Sequence, residues 1–271
     1  MRLKEGGKSS CLEDYRRNQV NYNVVTLKAK QMNQIERLSR QTAEQPFRQS
    51  STVVAIGDVH GCATLLREAI RPHFGSGAEL ILLGDLIDRS PEADGDRKVI
   101  ELVRELQTNP GAYGLSGVTV LRGNHEQMLL DALTEDEPGE ATDLWQWNGG
   151  DPSFLETAQE HQDWLGTLPL YAIRGRYLFV HAGVRPGLDL EDQQEDDLLW
   201  IRRPFLQKPH GLPYTVIHGH TFKSDYSITR LPHRIGIDTG AFISGKLTAL
   251  ILDPTAGDYQ GTGNARDLEP A

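Results

Sequence analysis

Thr52-Val53-Val54-Ala55-Ile56-Gly57-Asp58-Val59-His60-Gly61 runs an apolar, largely β-branched stretch straight into a glycine and two polar side chains. Leu65, Leu66, Ala69 and Ile70 then recur at helical spacing, so the segment predicts strand, loop and helix. The unit repeats. Leu80-Ile81-Leu82-Leu83 stops at Gly84, and Val99, Leu102, Val103 and Leu106 follow at the i, i+3, i+4, i+7 spacing of one buried helix face. Val118-Thr119-Val120-Leu121 enters Arg122-Gly123-Asn124-His125-Glu126, with Met128, Leu129, Leu130 and Leu133 as the next helix. Tyr177-Leu178-Phe179-Val180 ends at His181-Ala182-Gly183, and Thr215-Val216-Ile217 ends at His218-Gly219-His220-Thr221. Ile235 to Asp238 and Leu247 to Leu252 predict a closing hairpin across Ile243-Ser244-Gly245-Lys246. Strands alternating with helical patterns point to an α/β domain.

The remaining chain sets the boundaries. Residues 1–50 are polar and carry ten Lys/Arg against five Asp/Glu, while the rest carries 18 against 33, within a total net charge of -10 over 271 residues. We read a poorly ordered basic arm over 1–50, a folded body over 51–253 and a frayed tail over 254–271. An acidic body argues against sequence-independent binding to nucleic acid, which depends on Lys and Arg neutralising phosphates. It leaves room for phosphate chemistry where metals supply the positive charge. No stretch reaches the ~18 apolar residues of a membrane span. The first thirty residues hold no apolar block before a small-residue cleavage site. Cys11 and Cys62 form no spaced framework, so a reducing cytoplasm is the expected compartment.

Five strands thus each deliver a His, Asp or Asn to the loop at the carboxyl end, where open α/β sheets place their ligand sites. The set comprises Asp58 and His60, Asp85 and Asp88 with Arg89, Asn124 and His125, His181, and His220. Carboxylate, imidazole and amide donors suit divalent ions of borderline hardness such as Mn, Fe or Zn. The donors exceed the three or four that one zinc takes, so two metals are the economical reading.

The blocks Gly57-Asp58-Val59-His60-Gly61, Gly84-Asp85-Leu86-Ile87-Asp88-Arg89 and Gly123-Asn124-His125-Glu126 resemble the three signatures of the PPP serine/threonine phosphatases, within the calcineurin-like metallophosphoesterases. His181-Ala182-Gly183 and Gly219-His220-Thr221 resemble the two later histidine blocks, and the likeness spans Val53 to Leu252. Ile237-Asp238-Thr239-Gly240-Ala241 resembles the compact bacterial and phage branch. The resemblance implies a four-layer α/β sandwich, two mixed β-sheets flanked by helices, with a binuclear metal site at the strand carboxyl ends. It assigns Asp58, His60 and Asp85 to a first ion and Asp85, Asn124, His181 and His220 to a second, with manganese favoured. By the same likeness His125 is the general acid, Asp88 orients it, and Arg89 and Arg202 clamp the phosphoryl group. The resemblance also implies in-line attack by a hydroxide that the two metals would hold. The expected substrate is a phosphoserine or phosphothreonine in a protein or peptide, with no nucleic-acid or membrane partner.

The fifth block lacks the second histidine of the Gly-His-x-His pattern, which favours a monoesterase over a cyclic-nucleotide phosphodiesterase. Two rivals stand beside the protein phosphatase: a dinucleoside polyphosphate hydrolase with the same five blocks, and a catalytically idle metal-binding scaffold. Arg122 is balanced between a substrate contact and a local ion pair. Trp147-Asn148-Gly149-Gly150 reads as a helix stop. His73, His161, His210 and His233 match no block and read as structural or surface residues, and His218 reads as a strand end.

Overall fold

The computed structural model describes residues 52–135 and 138–255, and the backbone of 266–267. The basic arm expected over 1–50 lies outside the described residues, as does most of the C-terminal tail. Arg266 and Asp267 of that tail form a short strand.

Two five-stranded sheets stack face to face. The first holds β1 (Val53–Ile56), β2 (Glu79–Leu82) and β3 (Gly117–Val120) in parallel register, with β9 (Ala249–Leu252) antiparallel to β1 and β10 (Arg266–Asp267) at the edge. In the second, β5 (Tyr177–Val180), β6 (Thr215–His218) and β8 (Arg234–Gly236) run parallel, flanked by antiparallel β4 (Tyr171–Arg174) and β7 (Thr229–Leu231). Both sheets are mixed, as expected.

Alternation along the strands sorts their side chains into layers. Val53, Ala55 and Ile81 point between the sheets, where they meet Phe179, Ile217 and Ile235. Val54, Ile56, Leu80 and Leu82 point outward onto α1 (Ala63–Ile70), α2 (Gly95–Thr108) and α3 (Asn124–Leu133) through Leu66, Ile70, Val99, Val103 and Leu129. The same outer core takes in Trp145 of α4 (Glu140–Trp147), Phe154 of α5 (Pro152–Ala158) and Leu165 of α6 (Gln162–Thr167). On the far side Leu178, Val180 and Val216 pack on Leu198 of α7 (Glu195–Trp200) and on Phe205. The central strands β1 and β5 are buried at every position, which is why each reads as a continuous apolar run.

The predicted closing hairpin does not form. β8 and β9 belong to different sheets, because Ile235 and Ile237 face Leu250 and Leu252 across the inter-sheet core instead of lying beside them. The short helix α8 (Ala241–Ser244) carries the chain across, entered through Gly240 and left through Gly245, both left-handed. Among the described residues no helix is long and apolar enough to cross a membrane.

Candidate active site

The carboxyl ends of β1, β2, β3, β5 and β6 converge on one buried cluster. Asp58, His60, Asp85, Asp88, Asn124, His125, His181 and His220 are all buried. The loops that carry them are strained. Among the described residues seven non-glycine residues have positive φ, and His60, Asp85, Asp88, Arg89 and His220 are five of them. Such backbone persists only where its surroundings over-determine it. The β2 and β3 loops also approach so closely that a Cβ on Gly84 would lie 2.5 Å from the Gly123 nitrogen, and one on Gly123 would lie 2.2 Å from Asp85 Oδ1.

Backbone carbonyls fix two of the imidazoles. His60 Nδ1 donates to Ile87 O and His181 Nδ1 to Leu83 O, both at 2.9 Å. Their Nε2 lone pairs therefore face the cluster, 3.7 Å from Asp85 Oδ2 and 3.4 Å from Asp85 Oδ1 respectively. Asn124 Oδ1 stands 2.8 Å from His181 Nε2 and 2.9 Å from His220 Nδ1, and His220 Nε2 is buried with no hydrogen-bond partner. With Nδ1–H committed to Leu83 O, neutral His181 turns its Nε2 lone pair onto the Asn124 oxygen, and a cation between them satisfies both. Among the described residues two groups of side chains are close enough to hold a metal ion: His60, Asp85 and His125, and Asp85, His181 and His220. Asp85 belongs to both. The donor chemistry fits a divalent pair sharing one carboxylate.

Asp58 is a member of neither group. Its carboxylate accepts from the His220 N–H at 3.0 and 3.2 Å and lies near the carboxyl of Asp238. Burial, then Asp238 and Asp85, push its pKa well up, and burial carries Asp238 itself to about 6.

The imidazoles divide electrostatically. Burial holds His60 down at about 3 and lowers His181 and His220, so all three are neutral donors. For His125 burial is outweighed by Asp85 and Asp88, and its pKa rises. Its Nδ1 lies 2.6 Å from Asp88 Oδ2, while Nε2 faces Asp85 Oδ2 at 3.9 Å. Asp88 is pushed up by burial, against its hydrogen bonds to His125 and to the Trp145 indole.

Arg89 sits over the cluster, its Nη1 3.3 Å from His60 Nε2 and its guanidinium 5.3 Å from the Phe242 ring centre. The Trp147–Gly150 segment ends α4 as expected and also anchors Arg89, whose Nε donates to Asn148 O at 3.0 Å and whose N–H donates to Gly149 O at 2.9 Å. Arg202 is exposed, 3.4 Å from Thr221 Oγ1, and its charge depresses His181 and His220. Arg122 is buried and committed locally, to Gly166 O at 2.7 Å, Gln127 at 3.0 Å and Glu195 at 3.5 Å. His218 ends β6, and His73, His161 and His210 are buried away from the cluster.

Three buried acids escaped the sequence reading of the site. Glu126 accepts from the N–H groups of Asp85 at 2.8 Å, Leu86 at 2.7 Å and Gly123 at 2.7 Å, tying the β2 and β3 loops together. Asp96 accepts from the Asp88 N–H at 3.0 Å, and Asp238 backs Asp58. Glu126 closes the Gly-Asn-His-Glu block, and that position was its one sequence signal.

A sandwich of two mixed sheets with clustered metal donors at the strand ends defines a metal-dependent phosphoesterase. The chain belongs to the calcineurin-like phosphoesterase family, whose model matches residues 51–236. It is 31% identical over 217 residues to serine/threonine-protein phosphatase 1 of Salmonella typhimurium, covering 72% of this chain and 89% of that protein. It is also 27% identical over 228 residues to an asymmetrical bis(5'-nucleosyl)-tetraphosphatase of Anoxybacillus flavithermus, covering 72% and 88%. A serine/threonine phosphatase structure from Saccharomyces cerevisiae superposes with TM-score 0.54 at 15% identity, over 96% of each chain, a likeness of fold.

Proposed function

We propose that the chain is a protein serine/threonine phosphatase that hydrolyses phosphomonoesters, most readily with Mn2+. The observation that carries this reading is the buried His125–Asp88 pair, 2.6 Å apart beside Asp85. A serine or threonine alkoxide is a poor leaving group and needs a proton in the transition state. Nδ1–H held on Asp88 leaves Nε2 to deliver it. A phosphoanhydride, whose leaving group is a phosphate, needs that proton far less.

Asp58, His60 and Asp85 would hold one divalent ion, and Asp85, Asn124, His181 and His220 the other. Bound there, the ions supply positive charge to the phosphoryl oxygens and an acidified water as nucleophile. Arg89 and Arg202 would bind those oxygens, the guanidinium fork matching phosphate. Cys62 is a buried free thiol, in keeping with the cytoplasmic setting we propose.

Hydrolysis of dinucleoside tetraphosphates is the second reading. It is favoured by the rings beside His60: Phe242 at 5.1 Å, Phe222 6.4 Å from Phe242, and Tyr226 stacked 5.8 Å from Phe222. Such rings can stack a base. Metal-replete protein is assayed on a phosphoserine peptide and on diadenosine tetraphosphate. We expect the higher kcat/KM on the peptide; the reverse order would replace the first reading with the second.

A further inference from the structure

We propose that Trp145 is a positioning residue for proton delivery: its indole N–H holds Asp88, and through Asp88 the ring of His125. This rests on the reading of His125 as general acid. Trp145 is fully buried, and its Nε1–H donates to Asp88 Oδ1 at 2.9 Å. The other oxygen of that carboxylate, Oδ2, faces His125 Nδ1 at 2.6 Å. Asp88 is itself fully buried, so no water competes for either oxygen. Each oxygen has one partner on a different element. The carboxylate plane is therefore fixed from behind by α4 and presented to the imidazole in front.

The indole is in turn immobile. It belongs to the outer core with Leu129 and Leu165, and Gly150 lies against its face so closely that a Cβ there would be 2.2 Å from the ring. The Gly150 N–H returns to Trp145 O at 3.1 Å. A buried indole needs some acceptor for its N–H, and a carbonyl would serve. Here the acceptor is the far oxygen of the carboxylate that fixes the imidazole tautomer, with Nε2 directed toward the cluster. Without the N–H, Asp88 would be free to turn about its terminal torsion, which is broad. His125 Nε2 would then lose its aim at the leaving oxygen.

The test separates this role from plain packing by leaving group. Trp145→Phe keeps an aromatic six-membered ring in the core and removes the N–H together with the pyrrole ring that bears it. The same sample of metal-replete protein is assayed on a phosphoserine peptide, whose alkoxide needs a proton, and on p-nitrophenyl phosphate, whose phenolate leaves unaided. Because the readout is a ratio on one sample, the fraction of folded protein cancels. Loss of an outer hydrogen-bond partner typically lowers activity ~10–100-fold. We expect a fall of that size in kcat on the peptide, unchanged KM, and little change on the aryl ester. His125→Asn is run alongside and shows the same selectivity more deeply. If Trp145→Phe lowers both rates equally, or neither, Trp145 is structural and the inference fails while the His125 assignment stands. If His125→Asn itself shows no leaving-group selectivity, the acid assignment falls and the role of Trp145 with it.

Discussion

The wall of the site carried by β1, β2 and β3 is braced many times over, whereas the wall carried by β5 and β6 hangs on few bonds. On the first, Val59 and His60 both donate their N–H to Asp85 O at 2.9 Å, and Gly61 donates to Leu86 O at 2.8 Å. Glu126 gathers three further N–H groups, and four of the five strained site residues lie there. On the second, Gly219 donates to His181 O at 2.8 Å, and the links across to the first wall are the His181 Nδ1–H on Leu83 O, Asn124 Oδ1 and the His220 N–H on Asp58. The first wall fixes the shared carboxylate and the proton donor. The second presents imidazoles that can adjust to an ion.

The largest expected effect tests that division directly. Asp85→Asn removes the carboxylate common to both donor groups, and turnover should fall to background at any metal concentration. His220→Asn removes one neutral donor from the looser wall. Outer-shell changes already cost ~10–100-fold in metal affinity, so losing a ligand should raise the metal requirement ~100-fold or more, with activity returning as Mn2+ is added. Titrating both variants with Mn2+ under turnover decides it. Recovery of Asp85→Asn at high metal would break the comparison.

Next comes stability. Glu126→Ala strands three buried N–H groups, at about 1–3 kcal/mol for each donor left without a partner. The expected loss in urea unfolding is therefore several kcal/mol at pH 5, where Glu126, raised to about 7 by burial and Asp85, is still protonated in the fold, and smaller at pH 8, where the variant is also spared a buried charge. Arg202→Ala, on the exposed side of the second wall, should stay within about 0.5 kcal/mol. Comparable losses in the two variants would mean the walls are braced alike.

How much of this was legible follows from what each feature depends on. The strands that carry the site announced themselves because burial on both faces makes them apolar runs, and the glycine–acid–histidine blocks mark where each run stops. The Trp145–Asp88 bond joins positions 57 apart on a helix and a loop, and no local pattern encodes it. Asp96 is one acid among 38, and only packing marks it as buried; Asp238 stood in the Ile237–Ala241 block, which gave no sign that it would lie beside Asp58. The hairpin expectation failed because two apolar strands near in sequence can pair edge to edge or face each other across a core, and the residue pattern is the same in both cases. The open question of Arg122 was one of direction, which only the Gly166 carbonyl and Glu195 decide.

Arg122→Ala tests that direction with an intermediate effect. Its guanidinium neighbours the catalytic block in sequence but serves the outer packing, so KM and kcat on a phosphopeptide should hold within about twofold. Orphaning the Gly166 carbonyl and Gln127 should lower stability by about 1–3 kcal/mol. A raised KM with unchanged stability would return Arg122 to the substrate.

The smallest effect has the opposite sign. Asp96 braces the first wall by accepting the Asp88 N–H, yet burial and then Asp88 push its carboxyl from 3.8 up to about 7. A carboxyl whose pKa is raised on folding contributes stability while it stays protonated, below 3.8, and loses it as pH climbs from there to 7. Above pH 7 the folded chain carries a buried charge that the unfolded chain holds in water. Asp96→Asn keeps the accepting oxygen and removes the charge. The shift alone corresponds to ~4 kcal/mol by linkage. Asp96 also borders a cavity of about 400 Å3, where solvent screens part of that cost. The variant should be more stable than the parent by about 1–2 kcal/mol at pH 8, with the gain shrinking to nothing near pH 4. Paired urea curves at the two pH values show it. A loss at pH 8 would mean that the negative charge on Asp96 is itself part of what holds the strained β2 loop, and that the bracing of the first wall is electrostatic as much as geometric.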